Sequence, residues 1–168
     1  MGRPSVSYLM SEKERQAMIT TLRFLSATPK SRKALQKKLE AKGFEADLVK
    51  KVLGRLETQG LINDRGYALG VFQNLTLRRI SGRKRIAFEL EKKGVEESLI
   101  REVLDRYSPD EERGRALELA RQKRERWKLL DRMKRRKKTF DFLLRRGFDY
   151  ALSREVVAEL ERGQDPAD

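Results

Sequence analysis

The residues in this chain best equipped for chemistry are its cations. Arg78, Arg79, Arg83, Lys84 and Arg85 follow one another closely with no acid among them. From Arg121 to Lys138 there are eleven basic residues and two acids, Glu125 and Asp131. The densest part of that run is Arg132, Lys134, Arg135, Arg136, Lys137 and Lys138. A guanidinium offers a planar fork that grips phosphate or carboxylate through two parallel hydrogen bonds, and an ammonium acts as a compact point charge. The chemistry these groups support is anion binding. The formal net charge of +14, from 40 Lys and Arg against 26 Asp and Glu, favours a polyanionic partner, either nucleic acid or an acidic protein surface.

Bond-making chemistry has little to work with. The chain has no histidine and no cysteine. The usual general base, the commonest metal ligand, Ser–His nucleophiles and thiolate metal sites are therefore absent. There is no glycine-rich phosphate loop of the Walker or Rossmann type. We expect no catalysis, no metal and no cofactor. Tyr67 and Trp127 are the aromatics considered as base-stacking platforms, although core packing is the commoner use of such side chains.

The elements that carry these cations are announced by glycine. Gly43, Gly94 and Gly147 sit in three diverged copies of one segment. Four residues before each stands Leu39, Leu90 or Leu143, and the residue after is Phe44, Val95 or Phe148. Five after stands Leu48, Leu99 or Leu152, and nine after stands Val52, Val103 or Val156. A helix often ends on a residue in the left-handed region, which glycine enters freely, and the next residue folds back on the last turn. Gly60, followed by Leu61, reads as a fourth such C-cap with Leu61 returning to Leu56. The pattern predicts an all-α chain of three tandem three-helix repeats, in which neighbours complete each other's small cores. The boundaries fall at 1–61, an N-terminal extension with the first repeat, then 62–107 and 108–163, with a frayed tail at 164–168. An apolar content of 38% against 39% charged residues suits such an array.

Nine helices are expected. The first is capped by Ser11 with Glu14 at capping-box spacing, runs to about Ser26, and turns Met18, Leu22 and Leu25 to one side. The second covers about 32–42. The third covers about 46–59, with Leu48, Val49, Val52, Leu53 and Leu56 as its apolar stripe. Asp64 is expected to cap the fourth, which runs to about Ile80 and is broken by Ser81-Gly82. The fifth and sixth cover about 84–93 and 96–106. Ser108-Pro109 opens the seventh, which extends to about Leu130. The eighth ends near Arg146, and Asp149 opens the ninth, which reaches about Gly163. The best candidate for a strand is the ribbon-like stretch 66–77. No apolar run approaches the ~18 residues needed to cross a bilayer, and the N-terminal residues have no signal-type apolar core. We expect a cytoplasmic monomer.

The runs SRKALQKKLEAKGF, LINDRGYA, GRKRIAFELEKKGV and LLRRGFDYALSREVV, in that order, resemble the bacterial RecX family of recombination regulators. The likeness covers about Leu22 to Leu160. Its strongest motif is Gly82-Arg83-Lys84-Arg85-Ile86 with Glu89-Leu90 and Lys93-Gly94-Val95, followed by Leu61-Ile62-Asn63-Asp64 with Tyr67-Ala68. The family usually carries two acids after that isoleucine, and here the first is Asn63. The resemblance implies an elongated, curved, right-handed-type helical array. It implies a protein that binds the RecA nucleoprotein filament and restrains its growth, ATPase, strand exchange and co-protease activity in DNA repair and the SOS response, with weak, non-specific binding of single- or double-stranded DNA. The contact candidates are then Arg78, Arg79, Arg83, Lys84 and Arg85 together with Arg132, Lys134, Arg135, Arg136, Lys137 and Lys138. The alternative is a winged-helix transcriptional regulator, in which the third helix reads DNA and 66–77 forms the wing. RNA binding through the basic helices is a further option.

DNA binding by the isolated protein is expected to be electrostatic. Its log affinity should fall with log salt by roughly 0.7 per neutralised phosphate on single strands. A flat salt response in a titration would contradict this.

Overall fold

The structure, a computed structural model, describes residues 10–162. The expected tail at 164–168 and the first nine residues lie outside them. The described residues form nine α-helices and one π-turn: α1 (Glu12–Ala27), α2 (Arg32–Glu40), α3 (Ala46–Thr58), α4 (Asp64–Gln73), the π-turn Asn74–Arg78, α5 (Arg83–Lys92), α6 (Glu97–Leu104), α7 (Pro109–Glu125), α8 (Arg132–Arg145) and α9 (Tyr150–Arg162). There is no strand among them. The ribbon considered for 66–77 is helix and π-turn, which removes the wing of the winged-helix alternative.

The chain divides into two compact units. One comprises the residues up to 67 together with 93–95, and the other comprises 68–92 and the residues from 96 on. In the first unit α1, α2 and α3 pack on one another around Ala17, Leu35, Leu39, Val49, Val52, Leu53, Leu56 and Ile62. Two local expectations are corrected here. Leu22 is exposed, and α1 instead turns Ala17 and Thr21 inward, with the Thr21 hydroxyl satisfied by the Ala17 carbonyl at 2.7 Å. Beyond α3 the Leu61 N–H does reach the Leu56 carbonyl at 2.9 Å. Its side chain stays exposed, however, and Ile62 fills the core.

In the second unit α5 packs on α6, and α7, α8 and α9 pack on one another around Ala116, Leu119, Ala120, Leu143, Phe148, Val156 and Val157. Arg124 is buried and ties α7 to α9 through the Leu160 carbonyl and the Glu161 carboxylate. Arg113 reaches Glu155 and Glu159 from the same helix. Helix α7 stops at Glu125, short of the expected Leu130. The amides of Trp127 and Leu130 turn to carbonyls three residues back, Trp127 meets Phe142 edge-on at 6.0 Å, and extended Asp131 caps α8 by accepting from Lys134 N–H at 2.9 Å. Helix α4 also ends early. The Thr76 hydroxyl back-bonds to the Phe72 carbonyl at 2.9 Å, Arg115 takes the Thr76 carbonyl at 3.2 Å, and the ladder widens to a π-turn. Ile80 then adopts φ +44, an outlier for a β-branched residue, and packs partly buried against the α7–α9 core.

The repeated glycines do more than end helices. Gly43, Gly60, Gly94 and Gly147 all have positive φ, as C-caps require. The surroundings of three of them differ. A Cβ on Gly43 would meet open space. On Gly94 it would lie 3.0 Å from Ser31 Oγ and 3.2 Å from Lys33 Cβ. On Gly147 it would lie 2.3 Å from Arg85 Cβ and 2.4 Å from Arg85 N. Ser31–Lys33 and Gly82–Arg85 are equivalent segments, each opening the second helix of its repeat. The same joint therefore forms twice: the capping glycine of a later repeat seats on the start of that helix in the repeat before. Gly43 lies in the first copy, and its site is open.

Gly43→Ala should cost about 1–2 kcal/mol, because only the left-handed backbone is strained. Gly147→Ala adds a collision with backbone and should cost more than ~4 kcal/mol. Urea unfolding of the two variants checks the order, and equal losses would contradict the joint.

Candidate nucleic-acid and protein interface

Helix start α5 fixes where the first basic cluster can point. The Gly82 N–H donates to the Arg146 carbonyl at 2.9 Å, and the Lys84 N–H donates to the Gly147 carbonyl at 3.2 Å. A Cβ on Gly82 would lie 2.4 Å from the Gly147 carbonyl oxygen, so glycine is needed there for close approach; it does not break α4, which has already ended at Gln73. The Arg83 N–H donates to Glu112 Oε1 at 2.8 Å. The first unit holds a counterpart, in which the Arg32 N–H donates to Asp64 Oδ1 at 2.7 Å. This corrects the expected cap of α4. Asn63 takes that role, accepting from the Gly66 N–H at 2.8 Å, while Asp64 caps α2. An amide oxygen serves at Asn63 as well as a carboxylate would, so its departure from the acidic pattern is harmless.

The five candidates of the first cluster are not alike. Arg83 is half-buried and its guanidinium donates to the Tyr107 carbonyl at 2.5 Å. Arg85 pairs with Glu89 at 2.7 Å, and its Cβ lies against Gly147. Arg78, Arg79 and Lys84 are exposed and have no carboxylate partner among the described residues. A cation the sequence reading passed over joins them. Arg146, half-buried over the Phe142 ring at 5.6 Å, is held below the usual arginine range by burial and by the charges of Arg79 and Arg85. Arg79, Arg85 and Arg146 thus gather positive charge at one place, of which Glu89 offsets the share of Arg85; that makes the place a candidate for anion binding.

The second cluster wraps around α8. Arg132 pairs with Glu161 at 2.7 Å and Lys134 with Asp131 at 3.2 Å. Arg135 is half-buried, and Arg136, Lys137 and Lys138 are exposed. Lys137 and Arg146 stand roughly 13 Å apart along α8 at 1.5 Å per residue, so the helix joins the two clusters on one rigid element. Arg136 and Lys137 face a cavity of about 260 Å³ between α8 and α9, shared with Phe140, Tyr150 and Arg154. Neither Tyr150 nor Arg154 was foreseen, although Tyr150, Arg154 and Val157 follow the spacing of one helix face. Trp127 is occupied by its edge contact with Phe142. Tyr67 is half-buried.

Glu112 is 8% exposed, and burial pushes its carboxyl above the usual range while the Arg83 N–H opposes the shift. A raised folded-state value contributes stability that is full below the ordinary 4.5 and declines as pH rises through the folded value. Glu112→Gln keeps the acceptor without the charge. It should match or exceed the parent at pH 7 and lose that advantage near pH 4, whereas Glu112→Ala should cost about 1 kcal/mol through the lost cap. Urea melts at both pH values check this; a Gln variant as damaged as the Ala variant would contradict it.

Comparison with known proteins agrees with this architecture. Residues 17–56 match the family model described as RecX, first three-helix domain, and residues 110–157 match RecX, third three-helix domain. The chain is 36% identical over 157 residues to the regulatory protein RecX of Mycobacterium tuberculosis, covering 89% of each chain. It is 34% identical to that of Mycobacterium ulcerans, covering 96% of this chain and 95% of the relative. It is 33% identical to that of Clostridium perfringens, covering 86% and 68%. The crystal structure of RecX from Lactobacillus salivarius superposes with a TM-score of 0.80 at 23% identity, over 90% of this chain and 99% of the other. At that identity the superposition speaks for the fold.

Proposed function

The chain belongs to the RecX family, and from that premise we propose that it regulates the RecA nucleoprotein filament, restraining filament growth and with it ATP hydrolysis, strand exchange and co-protease activity. The observation that carries this reading is the match to RecX over nearly the whole chain, in both flanking three-helix domains. The basic surface of the second unit supports it: Arg79 and Arg85 bring positive charge to the half-buried Arg146, and Arg136, Lys137 and Lys138 stand exposed on α8. Such a surface suits acidic protein and phosphate alike, and weak, non-specific DNA binding follows from it. On this reading the protein works by binding rather than catalysis, as a monomer in the cytoplasm, with repeats divided near 61/62 and 107/108. No helix among the described residues is long and apolar enough to cross a membrane.

The experiment adds the protein to RecA on single-stranded DNA and follows ATP hydrolysis. Near-stoichiometric protein should slow it, and no inhibition at several-fold excess would defeat the reading. Reversing Arg83, Lys84 and Arg85 together would also break the Tyr107 and Glu89 bonds. Arg78→Glu, Arg79→Glu and Lys84→Glu together avoid those bonds. That variant should keep its stability within about 0.5 kcal/mol per site and lose on the order of tenfold in DNA affinity through the lost phosphate charge. Wild-type binding by a folded variant would move the contact surface elsewhere.

A further inference from the structure

We propose that the cavity between α8 and α9 is a subsite for one unstacked nucleotide of single-stranded DNA, with the base against Tyr150 and the phosphate among Arg136, Lys137 and Arg154. This rests on the reading that nucleic acid is a partner of the protein, and names where and how an open strand is held.

The cavity has one apolar wall and one cationic rim. Phe140 and Tyr150 meet edge to face at 5.2 Å and 83°, which fixes their relative angle. Tyr150 nevertheless remains 62% exposed, and Met133 beside it 71% exposed. Exposed apolar side chains grouped in one place and rimmed by charged ones mark an interaction site. Arg136 and Lys137 from α8 and Arg154 from α9 line the same cavity, are exposed, and have no carboxylate partner among the described residues. No acid lines it. The charge complement is an anion, and the aromatic complement is a flat ring. The volume of about 260 Å³ lies just under the ~300–1,000 Å³ of sites for drug-sized ligands, which suits one ring system with its sugar. An aromatic platform beside free cations is the usual means of holding single strands without reading sequence. In a duplex the bases are stacked and their faces unavailable, so only the rim would act.

Fluorescence anisotropy tests this with three probes of about 20 nucleotides: oligo(dT), the same backbone with abasic sites, and a duplex. Wild-type protein should bind oligo(dT) about fivefold or more tightly than the abasic strand, in keeping with the known worth of one stacked base. Tyr150→Ala should remove that preference and leave abasic binding within about twofold, while Tyr150→Phe should preserve it. Tyr150→Leu serves if the alanine variant melts early. Arg154→Gln should weaken both strands equally and lower the salt slope by about 0.7. Equal affinity of wild type for both strands, or a Tyr150→Ala variant that loses both alike, would overturn the proposal. So would Tyr150-dependent binding of an acidic, phenylalanine-containing peptide that oligo(dT) cannot displace, or a clear preference for oligo(U). RecA inhibition measured on the same preparation separates the two readings: its loss would defeat the filament role and leave the subsite standing.

Discussion

The structure of the second unit depends on two backbones approaching without side chains between them. Gly82 and Gly147 meet where the start of α5 crosses the turn from α8 to α9, and either Cβ would lie about 2.4 Å or less from the opposing backbone or side-chain stem. The crossing satisfies two helix-start amides with turn carbonyls. It also delivers Arg85 to the neighbourhood of Arg146, so the concentration of positive charge there follows from the joint. Glu112 completes the start of α5 by capping Arg83. In the first unit Ser31 occupies the position of Gly82; its hydroxyl is bound to the Lys93 carbonyl and also caps α2. A serine fits that joint because the approach is looser: a Cβ on Gly94 would lie 3.0 Å from its oxygen, against 2.4 Å or less at the Gly82–Gly147 crossing.

This arrangement explains why so many cations can be carried by so little core. The repeats spend glycines, serines and carboxylates on helix ends, where Ser11, Ser31, Ser108, Asp131, Asp64 and Glu112 accept from helix-start N–H groups. Arginines whose charge is structural are paired or bound to carbonyls: Arg83, Arg113, Arg115 and Arg124. Others are left open on the rim: Arg79, Lys84, Arg136, Lys137 and Arg154. Substitution can therefore change the unpaired set without touching the helix ends.

The sequence showed what is encoded within a few residues. The capping glycines, the Ser11 capping box, Ser108-Pro109 and the apolar stripe of α3 all stand as read, because their partners lie within one helical turn. Features set by docking were hidden. Asp64 serves α2, 32 residues away, and Glu112 serves α5 from 29 residues away, so local spacing pointed Asp64 to the wrong helix. Helix α7 ends where Arg124 and Trp127 find tertiary partners, although Arg126–Leu130 is helix-forming by composition. The role of Gly82 depends on Gly147, far along the chain. Tyr150 and Arg154 were legible only as spacing; their pairing with Arg136 and Lys137 needs α8 and α9 side by side.

The most direct test of the joint is hydrogen exchange at the Gly82 and Lys84 amides. Both lie at a helix start, where an N–H without a partner exchanges quickly, and their acceptors are the carbonyls of Arg146 and Gly147. They should exchange as slowly as amides in the core of α8, such as that of Leu143, because opening them requires the repeats to separate. Exchange as fast as in the turn at Lys128 would show that the two backbones do not meet, and would contradict the account.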